Sequence, residues 1–235
     1  PRNQLMIKIL INNLDSFQLW RISKFLNKYK FDTIIDVGAH KGEFIKYCLK
    51  YLNPKQVFGF EPQRNINYIL KKRFKKNKVI ISNLAIGKNN KKEILYINKF
   101  NKTSSLSKKT IFSKSIFKRL KNLILQSENY ENKYFVKTTS LDYFFLKKKL
   151  LKTLLKIDVE GYEMKVLLGS KKVLKRIDMI LIEKQNLKNN NFDHCHNYLL
   201  KKNFILFKTF LFPLMHFEDR LYVKKYLIYN NSNNE

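Results

Sequence analysis

The chain has 235 residues, of which 44% are hydrophobic and 14% aromatic, and it carries a formal net charge of +30. This length suits a single α/β domain with a large core, and the apolar content excludes a disordered chain. No segment reaches the roughly 18 uninterrupted apolar residues of a membrane span, because Lys208 and Pro213 break the most apolar stretch, 204–217. The sequence therefore predicts one domain, 1–235, without a transmembrane segment.

The excess of basic residues has two explanations, and both stay open. It could form a functional basic face toward nucleic acid, an anionic glycan or an acidic membrane surface, to which the protein would bind peripherally. However, only seven of the 48 basic residues are arginine, the better fork for phosphate, and the lysines spread over the whole chain. Coding bias toward A/T-rich codons produces the same distribution.

Cys48 and Cys195 form no spacing motif and no signal peptide is evident, which favours a reduced, cytoplasmic setting.

A helical segment is predicted within residues 1–30, where apolar residues recur at helical spacing. The β-branched run at 33–37 then predicts a buried strand, and Asp36 stands where that strand should end. Gly38 and Gly42 follow, before a second helical pattern. Strand, glycine turn and helix open an α/β nucleotide-binding domain, in which Gly38 lets a ligand approach the backbone and Gly42 lets the helix start close to the strand.

The glycine spacing of this turn differs from that of a dinucleotide site. It is Asp-x-Gly-x-x-x-Gly rather than Gly-x-Gly-x-x-Gly, so the middle glycine that seats a pyrophosphate is absent. A carboxylate at the strand end would also repel phosphates. The turn therefore suits a cationic or hydroxyl-rich ligand, although it could also be a tight connection without a ligand.

The second predicted strand, 56–60, is followed by Glu61 and Pro62 and then by a helical pattern. Glu61 follows Gly42 by 19 residues. An acid about 20 residues beyond the glycine turn, at the end of the second strand, typically meets ribose hydroxyls. The alternative is a solvent-facing glutamate at a strand end.

The run 79–87 predicts a third strand that leads into a turn, and residues 88–140 then interrupt the strand–helix rhythm. Strands are predicted at 93–97 and 135–139, and the insertion between them has the length of a substrate lid. Ser140 is predicted to cap the next helix.

Two further strands end in acids. The run 154–157 leads into Asp158, Glu160 and a helix ending at Leu168, and the run 179–182 leads into Glu183. A helix over 192–200 and two closing strands, over 204–210 and 222–229, complete the prediction.

Four acids, Asp36, Glu61, Asp158 and Glu183, thus stand at the carboxyl ends of predicted strands. Ligands of open α/β sheets bind along that edge. Four carboxylates would hold a pyrophosphate poorly, whereas S-adenosylmethionine offers a ribose, an α-ammonium group and a sulfonium. The charge pattern favours this cofactor.

The chain resembles the FkbM family of S-adenosylmethionine-dependent methyltransferases. The motif from Asp158 to Glu163, Asp-Val-Glu-Gly-x-Glu, is much more specific to this family than the glycine turn, which most class I methyltransferases share. The family often has Asn at the position of His40. The matching segments, in the family's order and spacing, are 35–42, 60–62, 82–87, 140–142, 157–163 and 182–183.

The resemblance implies a Rossmann-like class I methyltransferase fold, an α/β sheet of seven mostly parallel strands with the last one antiparallel and helices on both faces. It also implies that most relatives methylate hydroxyls of sugars, polyketides and similar products. For the cofactor, it implies that Glu61 binds ribose and that segment 83–85 borders the adenine. The residues implied in cofactor binding are Asp36, Gly38, Ala39, His40, Gly42, Glu61, Asn83 and Ala85.

Methyl transfer to a hydroxyl requires a group that takes the proton. Asp158 is the first candidate for this base because it ends the central strand, and Glu160 and Glu183 are the next. The same three carboxylates could instead hold a divalent cation that binds the substrate oxygens. A purely structural role, capping the helix after Gly161, is the third possibility.

Three other functions compete with an O-methyltransferase. The positive charge would suit an RNA methyltransferase, but the chain has no Asn/Asp-Pro-Pro-Tyr motif for base nitrogens and no added RNA-binding module. The absent middle glycine disfavours a nicotinamide-dependent oxidoreductase. Asp36 and Glu61 argue against a degenerate domain that has lost its cofactor.

Overall fold

The computed structural model describes residues 2–75, 78–98, 104–106, 130–185, 192–213 and 217–232. The first half contains α1 (Arg2–Leu26), β1 (Thr33–Val37), α2 (Glu43–Tyr51), β2 (Gln56–Phe60), α3 (Arg64–Arg73), β3 (Val79–Ser82), β4 (Ala85–Ile86), β5 (Lys91–Asn98) and β6 (Ser104–Ser105). The second half contains β7 (Tyr130–Thr139), α4 (Leu141–Phe144), β8 (Thr153–Ile157), α5 (Glu163–Leu168), a 3-10 helix (Val173–Arg176), β9 (Met179–Gln185), α6 (Phe192–Leu200), β10 (Phe204–Leu211), β11 (Phe217–Lys224) and α7 (Lys225–Ser232).

Seven strands form the main sheet in the order β10-β11-β9-β8-β1-β2-β3. The pairs β1–β2, β2–β3, β1–β8 and β8–β9 are parallel, whereas β11 runs antiparallel to both β9 and β10. This confirms the predicted fold. The strand order reverses between β1 and β8, and such a switch point is where ligands of open α/β sheets bind, at the carboxyl ends of the strands.

Alternation along the strands divides the core into two layers. On one face, Ile34 and Leu154 pack with α1 and α2. On the other face, Ile35 and Leu155 pack with α4, α5 and α6. Helices thus cover both faces of the sheet, as predicted. None of the described helices is long and apolar enough to cross a bilayer.

The predicted insertion contributes a second, smaller sheet in the order β4-β7-β5-β6. Its two long strands, β5 and β7, pair antiparallel and extend beyond the predicted ranges 93–97 and 135–139. Segments 99–103 and 107–129 of the insertion lie outside the described residues. The role of the insertion as a substrate lid stays a prediction.

The closing strand was predicted too late in the chain. β11 spans Phe217–Lys224, and the following residues form α7 instead of continuing the strand to 229. The reason lies in its neighbours: pairing with β9 stops at Val223, and pairing with β10 stops at Lys224. Beyond that point Leu227 and Ile228 pack against the α1–α2 layer, which a helix allows and a strand would not.

Candidate active site

The four predicted acids all reach the carboxyl edge of the main sheet. In register, Val37 is the partner of both Phe60 and Ile157, and Ile157 is the partner of Ile182. Glu61, Asp158 and Glu183 each follow one of these residues directly, and Asp36 precedes Val37. Register alone therefore brings the acids together, because parallel strands place their carboxyl ends at one edge.

The turn after β1 lies between the ends of β2 and β8. The backbone N–H groups of Gly38 and Ala39 donate to the carbonyl oxygen of Phe60, over 3.1 and 3.0 Å. Gly38 has a φ of +86°, and a Cβ there would collide with the backbone carbonyl oxygen of Asp158. The position accepts only glycine, because it combines left-handed backbone with close approach.

Gly42 makes close contacts on the side of α3. It precedes α2 with a φ of +80°, and a Cβ there would collide with the side chains of Leu70 and Phe74. The glycine therefore lets α2 begin against α3 and the residue after it.

Glu61 is buried, and its carboxylate organises the turn. Its two oxygens accept hydrogen bonds from the backbone N–H groups of His40 and Gln63, over 2.9 and 2.8 Å. Burial raises the pKa of Glu61 to about 7, against the stabilising effect of these bonds. Asn83 Nδ2 donates to the carbonyl oxygens of Glu61 and Pro62, each over 3.0 Å. The predicted residues Glu61, His40 and Asn83 thus form one connected group.

His40 has a φ of +45°, in the left-handed region. Asn and His are among the residues that tolerate this region best, so His40 is compatible with a turn in which Asn is frequent. Its Nδ1 lies 3.5 Å from the Glu43 carboxylate in the first turn of α2.

Asp36 is completely buried, and burial raises its pKa to about 6. Within the described part of the chain, neither of its carboxylate oxygens accepts a hydrogen bond. Buried acceptors without a donor suit a ligand that brings N–H groups or positive charge. Each Glu61 oxygen also keeps a lone pair, which matches a ribose diol. Asp36 and Glu61 therefore fit the chemistry of S-adenosylmethionine.

Lys156 is a member of the site that sequence reasoning missed. It lies beside Asp36 in the β1–β8 register and is buried. Its Nζ is 2.8 Å from Asp158 Oδ2 and 3.8 Å from Asp36 Oδ1. Burial alone would lower the pKa of Lys156, but the Asp158 and Asp36 carboxylates outweigh burial and raise it, so the ammonium stays charged. A single lysine inside an apolar strand was the available signal.

Asp158, Glu160 and Glu183 converge beside this lysine. Each offers a carboxylate oxygen within 4.8 Å of the others. Glu160 reaches the group because its φ of +52°, followed by +91° at Gly161, curls the loop after β8. Burial, and then the charges of Asp158 and Glu160, raise the pKa of Glu183 well above its ordinary value. Such a group can accept a proton, or it can offer oxygen ligands to a hard divalent cation.

Asp219 on β11 is a second missed acid. It is the register partner of Glu183, is buried, and accepts a hydrogen bond from Gln18 Nε2 of α1 over 3.0 Å. Burial raises its pKa to about 6. It joins the edge because the antiparallel β11 begins where the parallel strands end.

Ala85, predicted to border the adenine, begins β4 in the second sheet. It packs with Leu95 and Val136 in the small core of the second sheet. That sheet contacts the loop after β8 that carries Asp158 and Glu160, here called the acidic loop. The contact is a hydrogen bond of 2.6 Å from the Tyr162 hydroxyl to Glu93 Oε2. The insertion therefore stands next to the loop that carries Asp158 and Glu160.

The strand order, the glycine turn and the acids at the carboxyl edge define a class I S-adenosylmethionine-dependent methyltransferase. The chain belongs to the FkbM family of these enzymes: the model of the methyltransferase FkbM domain matches residues 36–206. This confirms the resemblance found in the sequence. No curated protein sequence matches the chain.

Solved structures share the fold at low sequence identity. TrmK of M. capricolum, in complex with S-adenosyl-homocysteine, is 13% identical with a TM-score of 0.50, over 89% of this chain and 68% of that one. The methyltransferase domain of bacterial CtHen1-C is 11% identical with a TM-score of 0.50, over 90% and 98% of the two chains. An uncharacterized protein of Listeria monocytogenes serotype 4b is 7% identical with a TM-score of 0.51, over 88% and 66%.

Proposed function

We propose that this enzyme methylates a hydroxyl group on a sugar, a glycan or a natural product. The observation that carries the proposal is the convergence of Asp158, Glu160 and Glu183 beside the cofactor edge. A hydroxyl is a poor nucleophile at neutral pH and needs a group that takes its proton. The family resemblance, in which most members are O-methyltransferases, supports the same acceptor chemistry.

Asp36 and Glu61 would hold the cofactor, with the turn at 38–42 around its methionine end and Asn83 near the adenine. When bound, S-adenosylmethionine supplies an electrophilic methyl group on a sulfonium. The contribution of the protein is to orient the acceptor hydroxyl toward that methyl group and to keep water away from it. Asp158 stands one strand from the glycine turn, which suits it for holding the acceptor hydroxyl.

The contact with Lys156 bears on which acid is free to take the proton. Asp158 Oδ2 already accepts a hydrogen bond from the Lys156 ammonium over 2.8 Å, so this oxygen is engaged within the protein. Glu183 has a raised pKa, caused first by burial and then by neighbouring carboxylates. We therefore assign proton acceptance to Glu183 and acceptor positioning to Asp158, with Glu160 beside them.

A divalent cation bound by the same carboxylates would activate the acceptor hydroxyl differently, by lowering the pKa of the hydroxyl itself. Chelation separates the two cases. Turnover that survives EDTA supports direct proton transfer to Glu183. Turnover that is lost and then restored by Mg²⁺ or Mn²⁺ assigns the three carboxylates to a metal site.

The acceptor class is tested with methyl-labelled S-adenosylmethionine and extracts of the native cell, separated into glycans, small metabolites and RNA. The expected label survives mild base and is recovered after acid hydrolysis in a methylated monosaccharide or natural product. Glu183→Gln is the control and should leave the label in the cofactor. Label recovered in nucleosides after nuclease digestion would instead establish an RNA methyltransferase.

A further inference from the structure

Helix α1 is apolar on two sides. One side packs against the sheet, where Ile22 and Leu26 are completely buried. The other side exposes Ile9, Leu10, Phe17 and Trp20, each between 40% and 56% accessible to solvent. Leu10, Phe17 and Trp20 are seven and three residues apart, so they lie along one stripe of the helix. Exposed large apolar groups in a contiguous patch mark an interaction surface.

Helix α2 continues this surface with two more rings. The rings of Tyr47 and Tyr51 stack with centroids 6.0 Å apart, and those of Phe17 and Trp20 stack at 5.8 Å. A cavity of about 260 Å³ separates the two pairs, and its lining includes Lys46 and Lys50. We call this surface the α1–α2 face; it comprises Ile9, Leu10, Phe17, Trp20, Tyr47, Tyr51, Lys24, Lys46 and Lys50.

The α1–α2 face is positively charged. Lys50 Nζ lies 5.0 Å and Lys24 Nζ 5.8 Å from the ring centroid of Tyr51. Within the described part of the chain, none of the ion pairs involves Lys24, Lys46 or Lys50. Their ammonium groups are therefore available to anions.

We propose that the α1–α2 face docks on the surface of an anionic lipid bilayer. Trp and Tyr rings settle at the headgroup level because they combine an apolar body with a polar atom. Aliphatic side chains of the same helix enter the acyl boundary, while lysines bind anionic headgroups. The α1–α2 face offers all three kinds of group on one side of the molecule.

Two other partners fit this face less well. Single-stranded nucleic acid would stack on the rings and pair with the lysines, but Ile9 and Leu10 offer nothing to a base or a phosphate. A second copy of the chain would bring two sets of Lys24, Lys46 and Lys50 together and repel. An anionic bilayer uses every group of the face.

The α1–α2 face lies close to the group of Asp158, Glu160 and Glu183 but is separate from it. On the inner side of α1, Gln18 donates to Asp219, the register partner of Glu183. The outer side is one helix diameter away, about 10 Å. Docking would hold the active-site edge near the membrane surface, and the proposal does not depend on which hydroxyl is methylated.

The chain contains one tryptophan, Trp20, so its fluorescence reports on this face alone. Vesicles of phosphatidylcholine with a one-quarter share of phosphatidylglycerol should shift the emission to the blue and protect Trp20 from iodide quenching. Vesicles of phosphatidylcholine alone should change the spectrum little at physiological salt. An unchanged spectrum with both kinds of vesicle would overturn the proposal.

Sedimentation with the same anionic vesicles tests the individual groups. Phe17→Ser with Trp20→Ser, and separately Lys46→Glu with Lys50→Glu, should each reduce the vesicle-bound fraction about tenfold. The matched control, Lys171→Glu with Lys175→Glu, makes the same charge change at exposed positions elsewhere and should bind as the unaltered chain does. Each variant is first checked for an unchanged melting temperature.

Equal losses in the face variants and in the control would reduce the binding to net charge and overturn the proposal. Two further results would also overturn it: oligo-uridine that competes with vesicles and quenches Trp20 by stacking, and a concentration-dependent dimer abolished by Phe17→Ser with Trp20→Ser. Loss of methyl transfer in solution would concern the proposed reaction and not the docking surface.

Discussion

Lys156 Nζ lies 2.8 Å from Asp158 Oδ2 and 3.8 Å from Asp36 Oδ1, so one buried ammonium joins the strand of the glycine turn to the acidic loop. Without it, the buried Asp36 and the partly exposed Asp158 would stand at two adjacent strand ends without this counter-charge. The enzyme can therefore collect acids at this edge only because β8 provides a cation among them.

Lys156→Met should destabilise the protein by about 3 kcal/mol, the lower end of the range for breaking a buried pair, because Asp36 is buried while Asp158 is partly exposed. Urea unfolding at pH 7.5 measures the effect. Lys156→Met combined with Asp158→Asn should recover part of the loss, since the second change removes one of the unpaired charges. If the double variant is no more stable than the single one, the ion pair is not the source of the destabilisation.

Glu61→Ala should weaken binding of S-adenosyl-homocysteine at least about tenfold. The variant loses charge-assisted contacts to the ligand as well as the bonds that fix the backbone of His40 and Gln63. Glu61→Gln keeps one acceptor oxygen, so its affinity for S-adenosyl-homocysteine should lie between those of the unaltered protein and Glu61→Ala. Isothermal titration calorimetry measures all three proteins, and equal affinities would remove Glu61 from the cofactor site.

Glu183→Gln should lower turnover by roughly 10²–10⁴-fold, the usual contribution of a general base, with cofactor affinity nearly unchanged. Asp158→Asn should lower turnover with a larger rise in the KM of the acceptor, because it affects positioning. Steady-state kinetics separate the two roles. A weaker cofactor Kd with intact turnover would make either residue a binding group instead.

Asp219→Asn should stabilise the protein at neutral pH. Burial raises the pKa of Asp219 to about 6 from an ordinary 3.8, so the folded state favours the protonated carboxyl. That stabilising effect is complete below the ordinary pKa and is lost as the pH rises through 6. Asparagine stays neutral and still accepts from Gln18, so the gain should be on the order of 1–3 kcal/mol at pH 7.5 and near zero at pH 4.

Unfolding curves at both pH values test this expectation. The exposed control Asp193→Asn, on α6, should change stability little at either pH. A gain from Asp219→Asn that is equal at pH 4 and pH 7.5 would show that titration of Asp219 is not its cause.

The sequence was sufficient to place Asp36, Glu61, Asp158 and Glu183 at one edge. Each stands at or just beyond the end of an apolar run, and parallel strands share their carboxyl ends. The sequence did not predict Asp219 at this edge because β11 runs antiparallel, so the acid precedes the apolar run instead of following it. Lys156 was not predicted as a site residue because its contacts depend on the register between strands, which a single sequence does not specify.

The end of β11 was misplaced for a related reason. The residues after Lys224 keep the β-forming composition of a strand, yet they have no partner strand to pair with. Strand propensity depends on neighbours more than helix propensity does, so tertiary context decided this boundary.

The carbonyl oxygen of Asp158 occupies the space that a side chain at Gly38 would need, and the Asp158 N–H donates to Val37 over 3.0 Å. The turn after β1 and the acidic loop after β8 are thus in direct main-chain contact. Any ligand that shifts one must displace the other. If Asp158 positions the acceptor as proposed, binding of S-adenosylmethionine at the turn after β1 is coupled to the placement of Asp158, and we expect the enzyme without its methyl donor to bind the acceptor less well.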